Sequence, residues 1–294
     1  MLALYIPWIE IGPWNIPLPT GHKLPIHAFG ILVATGVLVG AKIADWRAEK
    51  AGISPAVTSD AVSWVVILGF LLAHVLDVIL YHPQRIAEDP WLLVKFWQGL
   101  SSYGGFLGGV LGLWLWCRKR KMSMMLMGEI LAYGFLFGWV FGRLGCFTAH
   151  DHPGTVTTFF LAVDNYQVGE PPFEPRHDLG LYEALWAIAT VGVFTWLDRK
   201  PRPTGFYFAL LPMMYAPVRF FLDFLRLRPE QAPGRGDIRY LDLTPGQWAS
   251  IGLFLVSVWL MYLVYTRPEP AVPAWAKLPA DSQSKRKPRS RQTT

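Results

Sequence analysis

Apolar residues gather into seven blocks along the chain, near 26–44, 61–81, 103–117, 124–147, 179–197, 205–226 and 247–265, separated by short polar or proline-rich stretches. A helix needs about 20 apolar residues to cross about 30 Å of hydrocarbon, so the pattern predicts an all-α polytopic membrane protein with seven transmembrane helices. The third block is the short one. From Tyr103 to Cys117 it reaches about 22 Å at 1.5 Å per residue, too little to cross unaided. The segment before it, Asp89 to Gly99, alternates as an amphipathic helix lying in the interface. Ser101, Ser102 and Tyr103 are then expected at the bottom of a dip in the outer leaflet. Residues 1–25, with Trp8 and Trp14, read as a short interfacial segment.

Glycine spacing adds packing faces to these blocks. Gly134, Gly138 and Gly142 recur every four residues and strip one face of the fourth helix, as small-xxx-small faces do between membrane helices. Gly104, Gly108 and Gly112, with Gly105 and Gly109, bare two faces of the third. The two helices are expected to meet along these faces, setting Tyr103 and Arg143 on the same side and at the same depth.

Charge gives the orientation. One set of flanks carries Arg47, Lys50, Arg118 to Lys121, Arg199, Lys200, Arg202 and the seven basic residues after Thr266; the positive-inside rule makes that set cytoplasmic and puts the N-terminus outside. Arg226, Arg228, Arg235 and Arg239 run against the bias, which points to work other than topology. Only 16% of residues are charged, against about 25% in a soluble domain, so a soluble reading has no support. The basic excess of +6 is largely a property of the end of the chain, and no basic stripe with a reading element marks a nucleic-acid partner. The expected organisation is a membrane domain over 1–266 and a basic, disordered cytoplasmic tail over 267–294. The N-terminus lacks a basic n-region and a cleavage site, so no removable signal peptide is read. Cys117 and Cys146 make no disulfide framework.

Intramembrane polar residues fall toward one end of the predicted spans: His22 and His27, His74 with Asp77, Arg143, then Arg176, His177, Tyr182 and Glu183, then Tyr215, Arg219, Asp223 and Arg226. A transport path needs polar groups through the midplane, so the asymmetry favours a cavity facing the outer leaflet. Arginine in a bilayer snorkels, pairs or serves a function. A ladder of Arg219, Asp223 and Arg226 accounts for Asp223 but not for Arg219 so deep in its span. Tyr182 and Tyr215 also fit an aromatic belt, and Cys146 a small apolar filler. The H-x-H of His150 and His152 is too sparse for a metal centre; no metal and no cofactor is expected. Guanidinium forks suit phosphate oxygens, and in an outer leaflet the abundant phosphate belongs to phospholipid headgroups.

These residues resemble the prolipoprotein diacylglyceryl transferase family, in order along most of the chain. Ile26-His27-Ala28-Phe29-Gly30 resembles its first-span motif, Asp89-Pro90 through Trp97-Gln98-Gly99 its interfacial segment, and Tyr103-Gly104-Gly105 its His-Gly-Gly. Gly142-Arg143-Leu144-Gly145 resembles its Gly-Arg-Leu/Ile-Gly-Asn core, and Arg176-His177 with Leu181-Tyr182-Glu183 its Arg-His-Pro-x-Gln-Leu-Tyr-Glu motif. Tyr215, Arg219, Asp223 and Arg226 fall in the sixth-span arginine motif, and Leu243-Thr244 with Gly246-Gln247 opens the seventh.

The resemblance implies an enzyme of the bacterial cytoplasmic (inner) membrane that moves a diacylglyceryl group from phosphatidylglycerol to the lipobox cysteine thiol of a preprolipoprotein signal peptide. It assigns Arg143 and Arg219 to phosphate binding and leaving-group stabilisation. Residue 103 takes the proton of the incoming thiol, and Arg176, Glu183, Tyr215 and Arg226 complete the lipid site. Some positions depart from the pattern: Tyr103 stands for histidine, Cys146 for asparagine, Phe29 for tyrosine, and Asp178 and Gly180 for proline and glutamine. His150 and His152 are alternative bases from the neighbouring loop. Two other readings fit the same residues: a relative acting on another acceptor or anionic lipid, and one that holds lipid or a partner protein without turnover.

Overall fold

The computed structural model describes residues 5–17, 22–81, 86, 89–95, 101–169, 171–228, 230 and 239–278. The chain forms long helices at Ala28–Lys50 (α1), Pro55–Tyr81 (α2), Ser102–Arg120 (α3), Met124–Ala149 (α4), Leu179–Leu197 (α5), Phe206–Leu222 (α6) and Pro245–Thr266 (α7). All except α3 are long and apolar enough to cross a membrane, which makes this a mostly helical, multi-pass membrane protein. The third helix is longer than its apolar block, because it continues through Arg118, Lys119 and Arg120 before Lys121 turns left-handed at φ 52° and ends it.

Two compact units divide the chain, one made of Met1–Gly40 and Ala132–Arg267, the other of Ala41–Leu131 and Pro268–Thr294. In the second unit, α2 and α3 are joined through the glycines of α3. A Cβ added at Gly112 would lie 2.6 Å from the Trp64 carbonyl oxygen, and Cβ atoms at Gly104 and Gly108 would collide with the carbonyls of Leu72 and Leu68. The glycine face of α3 therefore serves α2, not the fourth helix as its spacing suggested. Around Ala48, Ile53, Trp116, Met127 and Ile130 the unit closes a core. At the basic ends, Arg47 bonds Glu129 at 2.7 Å, while Asp60 accepts from Arg120 at 2.7 Å and from the Trp116 indole at 3.0 Å.

The same core recruits the first part of the expected disordered tail. Ala276 is fully buried in it and Val272 packs against it. Ser54 N–H donates to the Ala276 carbonyl and Leu278 N–H to that of Gly52, both at 2.9 Å. Residues 279–294 lie outside the described residues. Of the expected interfacial helix over 89–99, the described part is a short 3-10 helix, Pro90–Val94, capped by Asp89. His74 Nε2 meets the Leu92 carbonyl there at 2.8 Å. Trp97, Gln98 and Gly99 lie outside the described residues, as do Arg85 and Arg235.

In the first unit, α1 and α4 approach through a reciprocal glycine contact. A Cβ at Gly36 would stand 2.5 Å from the Gly138 carbonyl oxygen, and one at Gly138 would stand 2.5 Å from that of Gly36. The bare face of α4 is thus taken by α1. Trp14–Pro17 (β1) pairs antiparallel with Lys23–Ile26 (β2), an arrangement the Trp- and Pro-rich composition did not announce. Pro153–Val156 (β3) pairs with Arg176–Asp178 (β4). Between them the loop buries Val163, Tyr166 and Val168 with Leu227, against Ile6, Trp8 and Phe147.

Candidate functional site

In the first unit the C-terminal ends of α4 and α6 come together with the N-terminal ends of α5 and α7, and each end is fixed by its own sequence. Asp178 caps α5, its Oδ1 accepting from Leu181 N–H at 2.9 Å. Thr244 and Gln247 form a reciprocal capping box on α7, satisfying two amides that a helix start leaves without partners. Pro212 and Pro217 sit inside α6, where they bend a helix and free carbonyls.

Glu183, with no exposed surface, is the centre of the arrangement. Its carboxylate bonds Arg143 Nη2 at 2.9 Å, Arg219 Nη1 at 3.1 Å and the Tyr215 hydroxyl at 2.9 Å. The Arg143 guanidinium also donates to the Tyr215 hydroxyl at 3.3 Å and stands 5.5 Å from the Trp139 ring centroid, and Trp139 packs edge-on against Tyr215. Arg219 continues to Asp223 Oδ1 at 3.1 Å, which Arg226 Nε meets at 3.0 Å. Thr244 donates its hydroxyl to the other Asp223 oxygen, and Gln247 donates to the Phe220 carbonyl at 3.1 Å. The result is a largely buried ionic chain across four helices. Three guanidiniums share two carboxylates among these residues, so the chain carries a net positive charge.

The sequence-predicted residues therefore divide. Arg143, Glu183, Tyr215 and Arg219 lie in one cluster, and Arg226 joins it through Asp223. Arg176 is held at its backbone by Val163, its carbonyl accepting from Val163 N–H at 2.9 Å, and its guanidinium reaches the Gly154 carbonyl at 3.4 Å. His177 Nδ1 pairs with the Tyr182 hydroxyl at 2.7 Å, and burial pushes this imidazole below its ordinary pKa. Tyr103 lies in the first turn of α3, in the second unit, after the Ser101 cap. Cys146 is buried, with its sulfur 3.9 Å from Arg143 Nη1.

His150 has a structural post. Its Nδ1 meets Asp178 Oδ2 at 2.9 Å, its Nε2 the Ile9 carbonyl at 3.3 Å, and its ring stacks on Trp8 at 3.9 Å. With both ring nitrogens engaged, it is poorly placed to accept a proton from a substrate. His152 goes elsewhere, hydrogen-bonded to Asp151, so the two imidazoles do not act as an H-x-H pair. Instead His152, Asp151 and Cys146 hold their ligand atoms within 4.8 Å of one another.

Asp178, Thr244 and Asp151 matter more here than their sequence positions indicated. The first two were legible as helix starts: an aspartate before an apolar run, and a Thr-x-x-Gln capping pattern. The departures at Asp178 and Gly180 go together. Asp178 anchors His150 and Tyr166, and a Cβ at Gly180 would stand 2.9 Å from the Phe147 amide, so glycine lets the start of α5 close on the end of α4.

Comparison with known proteins finds relatives of this sequence. The sequence model described as prolipoprotein diacylglyceryl transferase matches residues 18–263. The phosphatidylglycerol–prolipoprotein diacylglyceryl transferase of Chromohalobacter salexigens is 29% identical over 264 residues, covering 89% of this chain and 92% of that protein. Its namesake from Gloeobacter violaceus is 29% identical over 231 residues, 72% and 86% of the two chains. That of Acinetobacter baumannii is 28% identical over 255 residues, 83% and 90%.

Proposed function

The chain belongs to the prolipoprotein diacylglyceryl transferase family, and from that premise we propose that it transfers a diacylglyceryl group from phosphatidylglycerol to the lipobox cysteine thiol of a preprolipoprotein in the bacterial cytoplasmic membrane. The observation that carries this reading is the Arg143–Glu183–Arg219 cluster. A guanidinium has five N–H donors, and Glu183 with Tyr215 engages Nη2 of Arg143, while Nη1 has a thiol at 3.9 Å. That leaves donor capacity for phosphate oxygens. A carboxylate holding two guanidiniums fixes their planes before the lipid arrives, so little reorganisation remains when charge develops on the departing phosphate. The net positive charge of the chain from Arg143 to Arg226 suits an anionic headgroup.

In this reading seven helices cross the membrane with the N-terminus outside and the C-terminus in the cytoplasm, the site opening laterally toward the outer leaflet. Arg143 and Arg219 bind the phosphate and stabilise the leaving glycerol phosphate; Glu183 and Tyr215 orient them, and Arg226 and Arg176 add charge for the headgroup. Tyr103, at the position of the family histidine, receives the thiol proton. Purified protein given phosphatidylglycerol and a lipobox peptide is expected to add one diacylglyceryl mass to the peptide. A phosphatidylcholine control is expected to give none. If no product forms from phosphatidylglycerol, the reading passes to lipid binding without turnover.

A further inference from the structure

The chain doubles back sharply after α4. His150 takes a φ of 48°, a left-handed conformation uncommon for any residue but glycine. It is pinned there by Asp178, Ile9 and Trp8, and by the Tyr166 hydroxyl donating to its carbonyl at 3.1 Å. Two residues on, Leu179 N–H donates to the His152 carbonyl at 3.1 Å, tying the far side of the turn to the start of α5. Fixed at both ends, the turn presents Asp151 and His152 to the last turn of α4. That is why they stand within 4.8 Å of the Cys146 sulfur.

We propose that Cys146, Asp151 and His152 form a Zn²⁺ site whose fourth position holds the acceptor thiol. This rests on the transferase reading. One thiolate, one imidazole and one carboxylate make a donor set suited to zinc, and three protein ligands with one open position is the arrangement of catalytic rather than structural sites. Bonds of about 2.0–2.3 Å space tetrahedral ligands roughly 3.3–3.8 Å apart, which rotation of the exposed Asp151 side chain supplies. A dication takes the place of the hydrogen bond between Asp151 and His152. The two anionic ligands neutralise it, and Glu183 neutralises the neighbouring Arg143 at 2.9 Å. Asp151 also lines a cavity of about 710 Å³ whose walls include Ile26, Phe29, Ile31 and Ala34, apolar surface fit for the apolar stretch of a signal peptide.

Atoms and electrons balance in this step. The acceptor thiol binds zinc and gives up its proton to Tyr103, which passes it to solvent; its sulfur lone pair forms the S–C bond to the glyceryl carbon. The C–O bond to phosphate breaks with its electron pair, and glycerol phosphate leaves on Arg143 and Arg219. A metal-bound thiol is deprotonated outright, so the metal makes acidic the proton that Tyr103 receives. The site also gives a use to Cys146, where the family pattern has asparagine.

The test is Co²⁺ and Zn²⁺ titration of the purified, chelator-washed full chain in nanodiscs, followed by the thiolate-to-cobalt charge-transfer band and by metal analysis. One equivalent is expected for wild type and for Cys117→Ala, with the band absent in Cys146→Asn and at least tenfold weaker binding in His152→Ala. Cys146→Asn restores the family residue and keeps the fold testable by its unchanged melting temperature. Absence of a stoichiometric wild-type site, or a band that survives Cys146→Asn, overturns the proposal. Lipobox-peptide transfer that proceeds undiminished in excess chelator overturns it too, while leaving the transferase reading intact. A Cys146-dependent site with no transfer under any condition keeps the metal and removes the transferase reading.

Discussion

Replacing Glu183 by glutamine keeps the side chain's shape and removes one negative charge from a fully buried position. The five ionic groups Arg143, Arg219, Arg226, Glu183 and Asp223 change from a formal +1 to +2. Arg219 retains Asp223 at 3.1 Å, so the loss falls on Arg143, whose side chain is 9% exposed. Removing one partner of a buried ion pair costs about 3–5 kcal/mol because the remaining charge is left unpaired. Since glutamine still offers a carbonyl to the guanidinium, we expect the lower end, about 3 kcal/mol. At roughly 2–4 °C per kcal/mol for a domain of this size, that is a fall of about 6–12 °C in melting temperature, read by tryptophan fluorescence in nanodiscs of fixed lipid composition. Phosphatidylglycerol should narrow the gap, because its phosphate supplies the missing negative charge and a ligand bound to the folded state raises its stability. Glu183→Asp, which keeps the charge on a shorter arm, should recover part of the loss. If the glutamine variant melts at the wild-type temperature with neutral lipid alone, Glu183 is not what holds the guanidiniums.

Arg143→Lys and Arg219→Lys should each lose most transfer to a lipobox peptide while still inserting into membranes, because lysine keeps the charge and loses the planar fork; wild-type turnover in both would show that the fork is not needed. Tyr103→Phe should slow transfer by about 10²-fold or more, the range for a residue that handles a proton, and Tyr103→His should retain or raise it; equal rates for Phe and wild type would remove Tyr103 from the mechanism. Gly138→Ala should destabilise by about 1–3 kcal/mol through overpacking, whereas Gly142→Ala, with nothing within 4 Å of its added carbon, should be neutral or slightly stabilising, both read by thermal unfolding. A tag placed after Arg291 should resist an impermeant reagent on intact cells, and labelling there would reverse the orientation read from the basic flanks.

Hydrophobic periodicity located every long helix, because bilayer thickness imposes a block length that the sequence must meet. Residues 179–197 were placed to the residue, where an N-cap aspartate and the basic residues after Leu197 bound the apolar run. Glycine spacing revealed bare faces but not their partners: such a face accepts any backbone, and it is Gly36 and Gly40 on α1, spaced four apart like the face they meet, that fit against Gly138 and Gly134. The site's arginines were legible as charges out of place in apolar helices. Glu183 was legible only as a lipid-binding group, since its position between two arginines depends on how three helices meet. His150 looked like a chemical group in sequence, and its role as the peg of a turn follows from Asp178, 28 residues away. A two-residue match of that kind leaves no periodic trace.

The packing of residues 268–278 sets where this protein can be shortened. A chain ended at Arg267 keeps every apolar helix yet uncovers Ile53, which is now fully buried beside Ala276, and takes away the partners of the Ser54 N–H and the Gly52 carbonyl at the basic end of the second unit. Such a truncation is a poor starting point for expression or for a fusion at the C-terminus. Ending after Leu278 preserves the clasp, and a reporter attached beyond that residue leaves it closed.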